Sequence, residues 1–153
     1  DLHSFPTRRS SDLHIDLCRG VAPPFDPSVV VKEFAAVLTQ YRCRSTTGDR
    51  YAGEWVVEAF EKHGIDYRQS TLTKSELYLE CVPLFAQGCV DLLDVKLLRV
   101  QLQQLERRTA RSGRDSVDHP PSGHDDYSNA ACGVLAMLQQ PQHTIRMVPL
   151  TGV

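Results

Sequence analysis

Short β-prone runs alternate with amphipathic helical stretches along most of this chain, and that alternation limits the fold more than any other feature. From residue 14 the order reads strand, helix, strand, helix, strand, helix, strand, helix, helix. Strands interleaved with helices form α/β layers around a largely parallel sheet, because each crossover helix returns the chain to begin the next strand in the same direction. His14 to Gly20 reads as the first strand. Asp26 then serves as N-cap with Pro27 at the first helical position, and Val30, Phe34, Val37, Leu38 and Tyr41 recur at helical spacing over 27–41. Cys43 to Thr47 is β-rich and ends in Gly48-Asp49. Ala52, Val56, Ala59, Phe60 and His63 mark a second helix closed by Gly64, and Ile65 to Gln69 forms the next strand.

Thr73 and Glu76 form a capping-box pattern ahead of a helix carrying Leu77, Cys81, Leu84 and Phe85, with Pro83 expected to kink it. Cys89 to Leu93 reads as extended, and 95–107 as a helix on Leu98, Leu102 and Leu105. Residues 108–123 read as a loop rich in Gly, Pro and Ser, with room for a short strand at 116–119. A final helix starts near 123–125, keeps a 3.6-residue period through Tyr127, Ala130, Ala131, Val134, Leu135 and Leu138, and stops at Pro141. Residues 141–153 read as a tail. The first 13 residues, DLHSFPTRRSSDL, show no periodicity; they resemble a translated sequencing-adapter tail, or else a basic arm, and stand outside the fold argument.

The 153 residues suit one domain, and a net charge of −2 gives no bulk nucleic-acid footprint, so any DNA contact must come from local patches. Five scattered cysteines without CxxC spacing argue against a disulfide framework or a zinc site and suit a reducing, cytoplasmic setting. No apolar run approaches the roughly 20 residues of a membrane span, and no apolar leader is visible.

Two segments carry candidate chemistry: Gly48-Asp49-Arg50 at a strand end, and Gly123-His124-Asp125-Asp126 at a helix start. Ligands in α/β sheets sit at the carboxyl ends of strands. Phosphodiester hydrolysis by two divalent ions needs clustered hard oxygen donors holding the ions about 4 Å apart. Helical phase places Asp126 beside the apolar stripe and Asp125 nearly opposite, which favours Asp126 as ligand, Asp125 as its partner and His124 as a water- or phosphate-orienting group. From spacing alone, aspartates at a helix start are more often caps, favoured there by the helix dipole. Arg50, Lys74, Arg107, Arg108, Arg111 and Arg114 are candidate phosphate contacts, against the plainer reading of solvated cations. Trp55 reads as core or near-core packing.

The string GRDSVDHPPSGHDDYSNAACGVL resembles the end of the nuclease domain of phage terminase large subunits. TGDRYAGEWVVEAFEKHGI and TKSELYLECVPLFAQGCVDLLD resemble its middle, and PPFDPSVVVKEFAAVL the helix before it, so the likeness spans about residues 14–140 in the right order. The resemblance implies an RNase H-like fold, a mixed sheet flanked by helices, with acids binding two Mg²⁺ or Mn²⁺ ions. Asp49 matches the family's second acid, and Asp125-Asp126 the third. The family's first acid lies on a strand upstream of His14, where this chain carries its foreign-looking segment, so the resemblance implies a missing first strand, weak metal binding and little cleavage. No GxxxxGK[ST] phosphate loop occurs. For the parent protein the resemblance implies cutting of double-stranded concatemeric DNA in the host cytoplasm, with a small terminase subunit and a portal as partners. A resolvase- or transposase-like nuclease, and a non-catalytic domain docking on DNA or a portal, are the competing expectations. They separate on whether the Asp49 and Asp126 carboxylates lie within reach of one shared ion or lie far apart, each capping its own helix.

Overall fold

The computed structural model describes residues 13–139. The expected tails at 1–13 (Leu13 apart) and 141–153 lie outside the described residues, as does the helix stop at Pro141. The elements run β1 (Leu13–His14), α1 (Pro27–Gln40), β2 (Ser45–Gly48), α2 (Glu54–Glu61), β3 (Asp66–Gln69), α3 (Lys74–Ala86), β4 (Val90–Asp91), α4 (Lys96–Gln104), β5 (Glu106–Thr109), β6 (Asp115–Asp118) and α5 (Asp126–Gln139). The α/β alternation is present, but β1 is shorter than expected and the strands pair two by two: β1 with β4 and β2 with β3 in parallel, β5 with β6 antiparallel. The architecture is mixed α/β as expected, with three small two-stranded ladders in place of one continuous sheet among the described residues.

Local signals account for the element boundaries. Asp26 caps α1 by accepting from the Ser28 N–H at 2.8 Å, with Pro27 in the first turn. Both halves of the capping box form at the start of α3: Glu76 accepts from the Thr73 N–H at 2.7 Å, and Thr73 Oγ1 accepts from the Glu76 N–H at 3.4 Å. After α2 the chain turns at Gly64, whose φ of +75° lies in the left-handed region that glycine enters without strain. At the end of β2 the requirement is different. A Cβ on Gly48 would collide with the Tyr67 ring of the neighbouring strand, which is itself stacked on Phe60 with centroids 5.4 Å apart.

The helix expected over 95–107 ends at Gln104, and the loop expected over 108–123 gives way to the β5–β6 hairpin, registered Glu106 to Asp118 and Thr109 to Asp115, of which the sequence indicates only the short strand near 116–119. Arg107 bonds Asp115 across the hairpin and Thr109 Oγ1 donates to Asp115 at 2.5 Å, while Gly113 supplies the positive φ of the turn. Gly and Ser content suggested a loop; cross-strand pairing and charge pairs make it a ladder.

Two apolar clusters hold these elements. The larger gathers Ile15, Leu77, Tyr78, Cys81, Leu84, Val117, Cys132, Leu135 and Ala136, so α3 and α5 pack on each other and against β6. The smaller joins Val31 and Ala35 of α1 to Phe60 and Ile65. The apolar stripe expected on α5 divides: Ala131 and Leu135 face the core, whereas Val134 and Leu138 are half exposed. These last two line a groove of about 540 Å³ together with Phe34 and Val37 of α1, Thr46 of β2 and His14 of β1. Trp55 is 48% exposed, which corrects its placement as core packing. No helix among the described residues is long and apolar enough to cross a membrane.

Candidate metal centre

Three chain segments meet at the amino ends of α3 and α5. β6 ends at Asp118 and is followed by His119. A tight turn closed by the Gly123 N–H donating to the Pro120 carbonyl at 2.8 Å then folds the chain back to Asp125. Proline early in the turn and glycine at its close suit this geometry. On the other side, Ser75 of α3 grips β6: its Oγ donates to the Val117 carbonyl at 3.0 Å and accepts from the Val117 N–H at 3.1 Å. That double bond fixes the first turn of α3, and with it Lys74, beside Asp118.

The result is an acidic cluster. One donor atom each from Asp118, His119 and Asp125 lies within 4.8 Å of the others. Lys74 Nζ bridges the two acids, 2.5 Å from Asp118 Oδ1 and 3.2 Å from Asp125 Oδ2. Tyr78 Oη also donates to Asp125 Oδ2, at 2.9 Å. Burial alone would pull the Lys74 ammonium down, but the bonds to Asp118 and Asp125 outweigh it and its pKa rises. The same bond from Lys74 holds the Asp118 carboxyl below its ordinary range, helped by the His119 N–H. Burial, reinforced by the Asp125 charge, pushes the Tyr78 hydroxyl well up, so Tyr78 stays a donor.

Asp125 stands where an N-cap residue stands, since the Asn129 N–H donates to its carbonyl at 2.7 Å. Its carboxylate is nevertheless turned away from its own helix. The Tyr127 and Ser128 N–H groups donate instead to Oε1 of Gln101, a buried residue of α4, at 2.8 and 3.1 Å. Gln101 thus performs the cap from a neighbouring helix, and the Asp125 side chain, only 11% exposed, is committed to the cluster.

The donor set fits a divalent cation. His119 Nδ1 lies 2.7 Å from the Pro120 carbonyl, which can only accept, so that nitrogen carries the proton. In the neutral ring Nε2 then presents a lone pair toward Asp118 and Asp125, 3.8 Å from an oxygen of each. A backbone carbonyl orienting the far nitrogen is the usual support of a metal-bound histidine, and two carboxylates with one imidazole suit Mn²⁺ or Co²⁺ as well as Mg²⁺.

The expected residues are distributed as follows. Asp125 is in the cluster; Asp126 is exposed and lies on the wall of the 540 Å³ groove with Tyr127. The preference for Asp126 over Asp125 as ligand is thus reversed in the cluster, because Asp125 precedes the first helical residue and obeys turn geometry rather than helical phase. His124 is exposed. Asp49 follows β2, accepts from the Tyr51 N–H at 3.0 Å, and is not in the cluster. Burial raises the Tyr67 hydroxyl pKa, and the nearby Asp49 charge adds to it. Bonds from Thr73 hold the Glu76 carboxyl low, and the charges of Arg114 and Arg50 add to that effect, so both arginines lie in reach of the α3 amino end. Arg108 pairs with Glu106 at 2.5 Å, and Arg111 is exposed near the hairpin tip. Sequence reasoning passed over Asp118, His119, Ser75, Tyr78 and Gln101; the string Val-Asp-His-Pro-Pro was the visible signal for the first two.

No protein-family model and no curated protein sequence matches the chain. Solved structures do. The large terminase nuclease from thermophilic phage G20c with bound cobalt superposes with a TM-score of 0.62 at 21% identity, covering 77% of this chain and 64% of that one. The fold is that of a phage large terminase nuclease. The magnesium-bound form of the G20c protein gives 0.59 at 22% identity over 73% of this chain. The large terminase nuclease domain of Thermus phage P74-26 gives 0.60 at 19% identity, also over 73%. This chain therefore shares the α/β fold of those nuclease domains over about three quarters of its length. It spans 60 to 64% of the length of those solved nuclease chains.

Proposed function

We propose that the chain is part of a divalent-metal-dependent endonuclease of a phage DNA-packaging machine, acting on double-stranded DNA. The observation that carries this reading is the Asp125 carboxylate. It is buried, released from capping its own helix by Gln101, and set with Asp118 beside His119 Nε2. A cap-only aspartate would not need a substitute cap, which favours the converging-acid reading over the docking-module one. The terminase nuclease fold, and the cobalt and magnesium bound by its relatives, point the same way.

When bound, Mg²⁺ or Mn²⁺ ions supply Lewis acidity toward the phosphodiester and make the attacking water easier to deprotonate. Asp118, Asp125 and His119 Nε2 hold the cation, Tyr78 fixes the Asp125 rotamer, and the Pro120 carbonyl fixes the His119 ring. Asp49 at the β2 end and Asp126 on the groove wall are proposed as further acids of a two-ion site, with His124 as a water- or phosphate-orienting group. Arg50 and Arg114 face the DNA backbone from beside α3, with Arg108 and Arg111 extending the positive strip along the hairpin. For the whole packaging machine, a small terminase subunit and a portal are the proposed partners, in the host cytoplasm. A plasmid-nicking assay with Mn²⁺ tests the reading. Cleavage by this chain is proposed to be weak, and weak Mn²⁺-dependent nicking that falls at least about tenfold in Asp125→Asn and Asp49→Ala supports the reading; nicking unaffected by either substitution overturns it.

A further inference from the structure

The Lys74 ammonium sits directly on the acid pair, bonded to both Asp118 and Asp125. It is a built feature rather than a stray surface contact. The side chain is only 34% exposed, and the first turn that carries it is pinned by Ser75 to β6 and by the Thr73–Glu76 capping box. Two carboxylates with donor atoms within 4.8 Å of one another repel, and one ammonium offsets part of that repulsion. The oxygens it holds are those a divalent ion would need.

We propose that Lys74 is an exchangeable counter-ion: it neutralises the Asp118–Asp125 pair in the metal-free protein and is displaced when a divalent cation binds. This rests on the metal-centre reading above and adds a regulation of that site. A positive charge a few ångströms from a divalent ion is strongly unfavourable in a partly buried setting, so the two cations compete for the same oxygens. Metal-free stability and metal affinity are thereby set against each other by one residue. Lys74 is then engaged before metal binds and available for a phosphate only afterwards.

Three measurements on the full chain test this. In calorimetric titration with Mn²⁺, Lys74→Met and Lys74→Gln should each bind about tenfold or more tightly than wild type. Both should melt at lower temperature in chelator and recover on adding Mn²⁺. Wild-type protein gives an independent readout if those variants fail to fold. Acylation of lysine amines, followed by peptide mass spectrometry, should rise several-fold at Lys74 with saturating Mn²⁺ while exposed Lys62 and Lys96 stay constant. Equal Mn²⁺ affinity in wild type and variants, or Lys74 acylation unmoved by saturating Mn²⁺, overturns the exchange and leaves the metal centre standing. No Mn²⁺ binding by any of the proteins overturns the metal centre and the exchange with it.

Discussion

Gln101 and Asp125 divide a task that one residue performs at most helix starts. Because Gln101 supplies the acceptor for two α5 N–H groups, Gln101→Leu leaves those donors buried without a partner. The expected loss is about 1–3 kcal/mol in urea unfolding, provided Asp125 does not turn back to cap the helix. A rescue by that rotation would show as weakened Mn²⁺ binding at near-normal stability, so the two readouts together decide it. Glu76 gives the pH prediction. Its folded pKa lies below the ordinary 4.5 because Thr73 donates to it. Its contribution to stability is therefore fully present above that value and is lost as pH falls through the lower folded value. Thermal unfolding of Glu76→Gln between pH 3 and pH 6 (about the range that brackets a carboxylate) should be flatter than that of wild type. At this scale the sequence showed the capping box and the Asp26 cap directly, because those signals are local. It did not show Asp118 and His119 as site residues, because their partners Lys74 and Asp125 join them only through the hairpin and the Pro120 turn.

Among the elements, the β5–β6 hairpin was the least legible. Its strands are rich in Arg, Asp and Ser, which carry little β signal alone, and they become a ladder because Arg107 and Thr109 find Asp115 opposite. The tip depends on Gly113 with φ +78°. Gly113→Val should cost about 1–2 kcal/mol in urea unfolding, the cost of forcing an L side chain into that region. An unchanged midpoint would mean the tip re-forms another turn. Legibility was better where a chain-reversal signal and a hydrophobic period coincide, as in α2 with Gly64 after it, or α1 between Asp26 and Tyr41. Helical phase on α5 favoured Asp126 over Asp125 as the ligand, whereas Asp125 is the one that joins the donor cluster: periodicity speaks only for residues inside the helix, and Asp125 precedes it.

At the scale of the molecule, the alternation of strands and helices announced the α/β class, and the long ordered likeness announced the terminase nuclease architecture. The pairing of strands into separate two-stranded ladders was not readable, since long-range register leaves no local pattern. Stability should depend most on the larger core, where Leu135 is fully buried between α3, α5 and β6. Leu135→Ala should lose about 2–5 kcal/mol by calorimetry or urea, and a change below about 1 kcal/mol would mean that core is loosely packed. The same core aims the amino ends of α3 and α5 at one point, which is how packing reaches the chemistry. The most direct test of that convergence is Mn²⁺ titration of the wild-type chain beside Asp125→Asn, whose amide keeps the shape of the side chain but not its charge. The account predicts measurable Mn²⁺ binding in wild type and a loss of about tenfold or more in the variant; equal affinity in the two would contradict it.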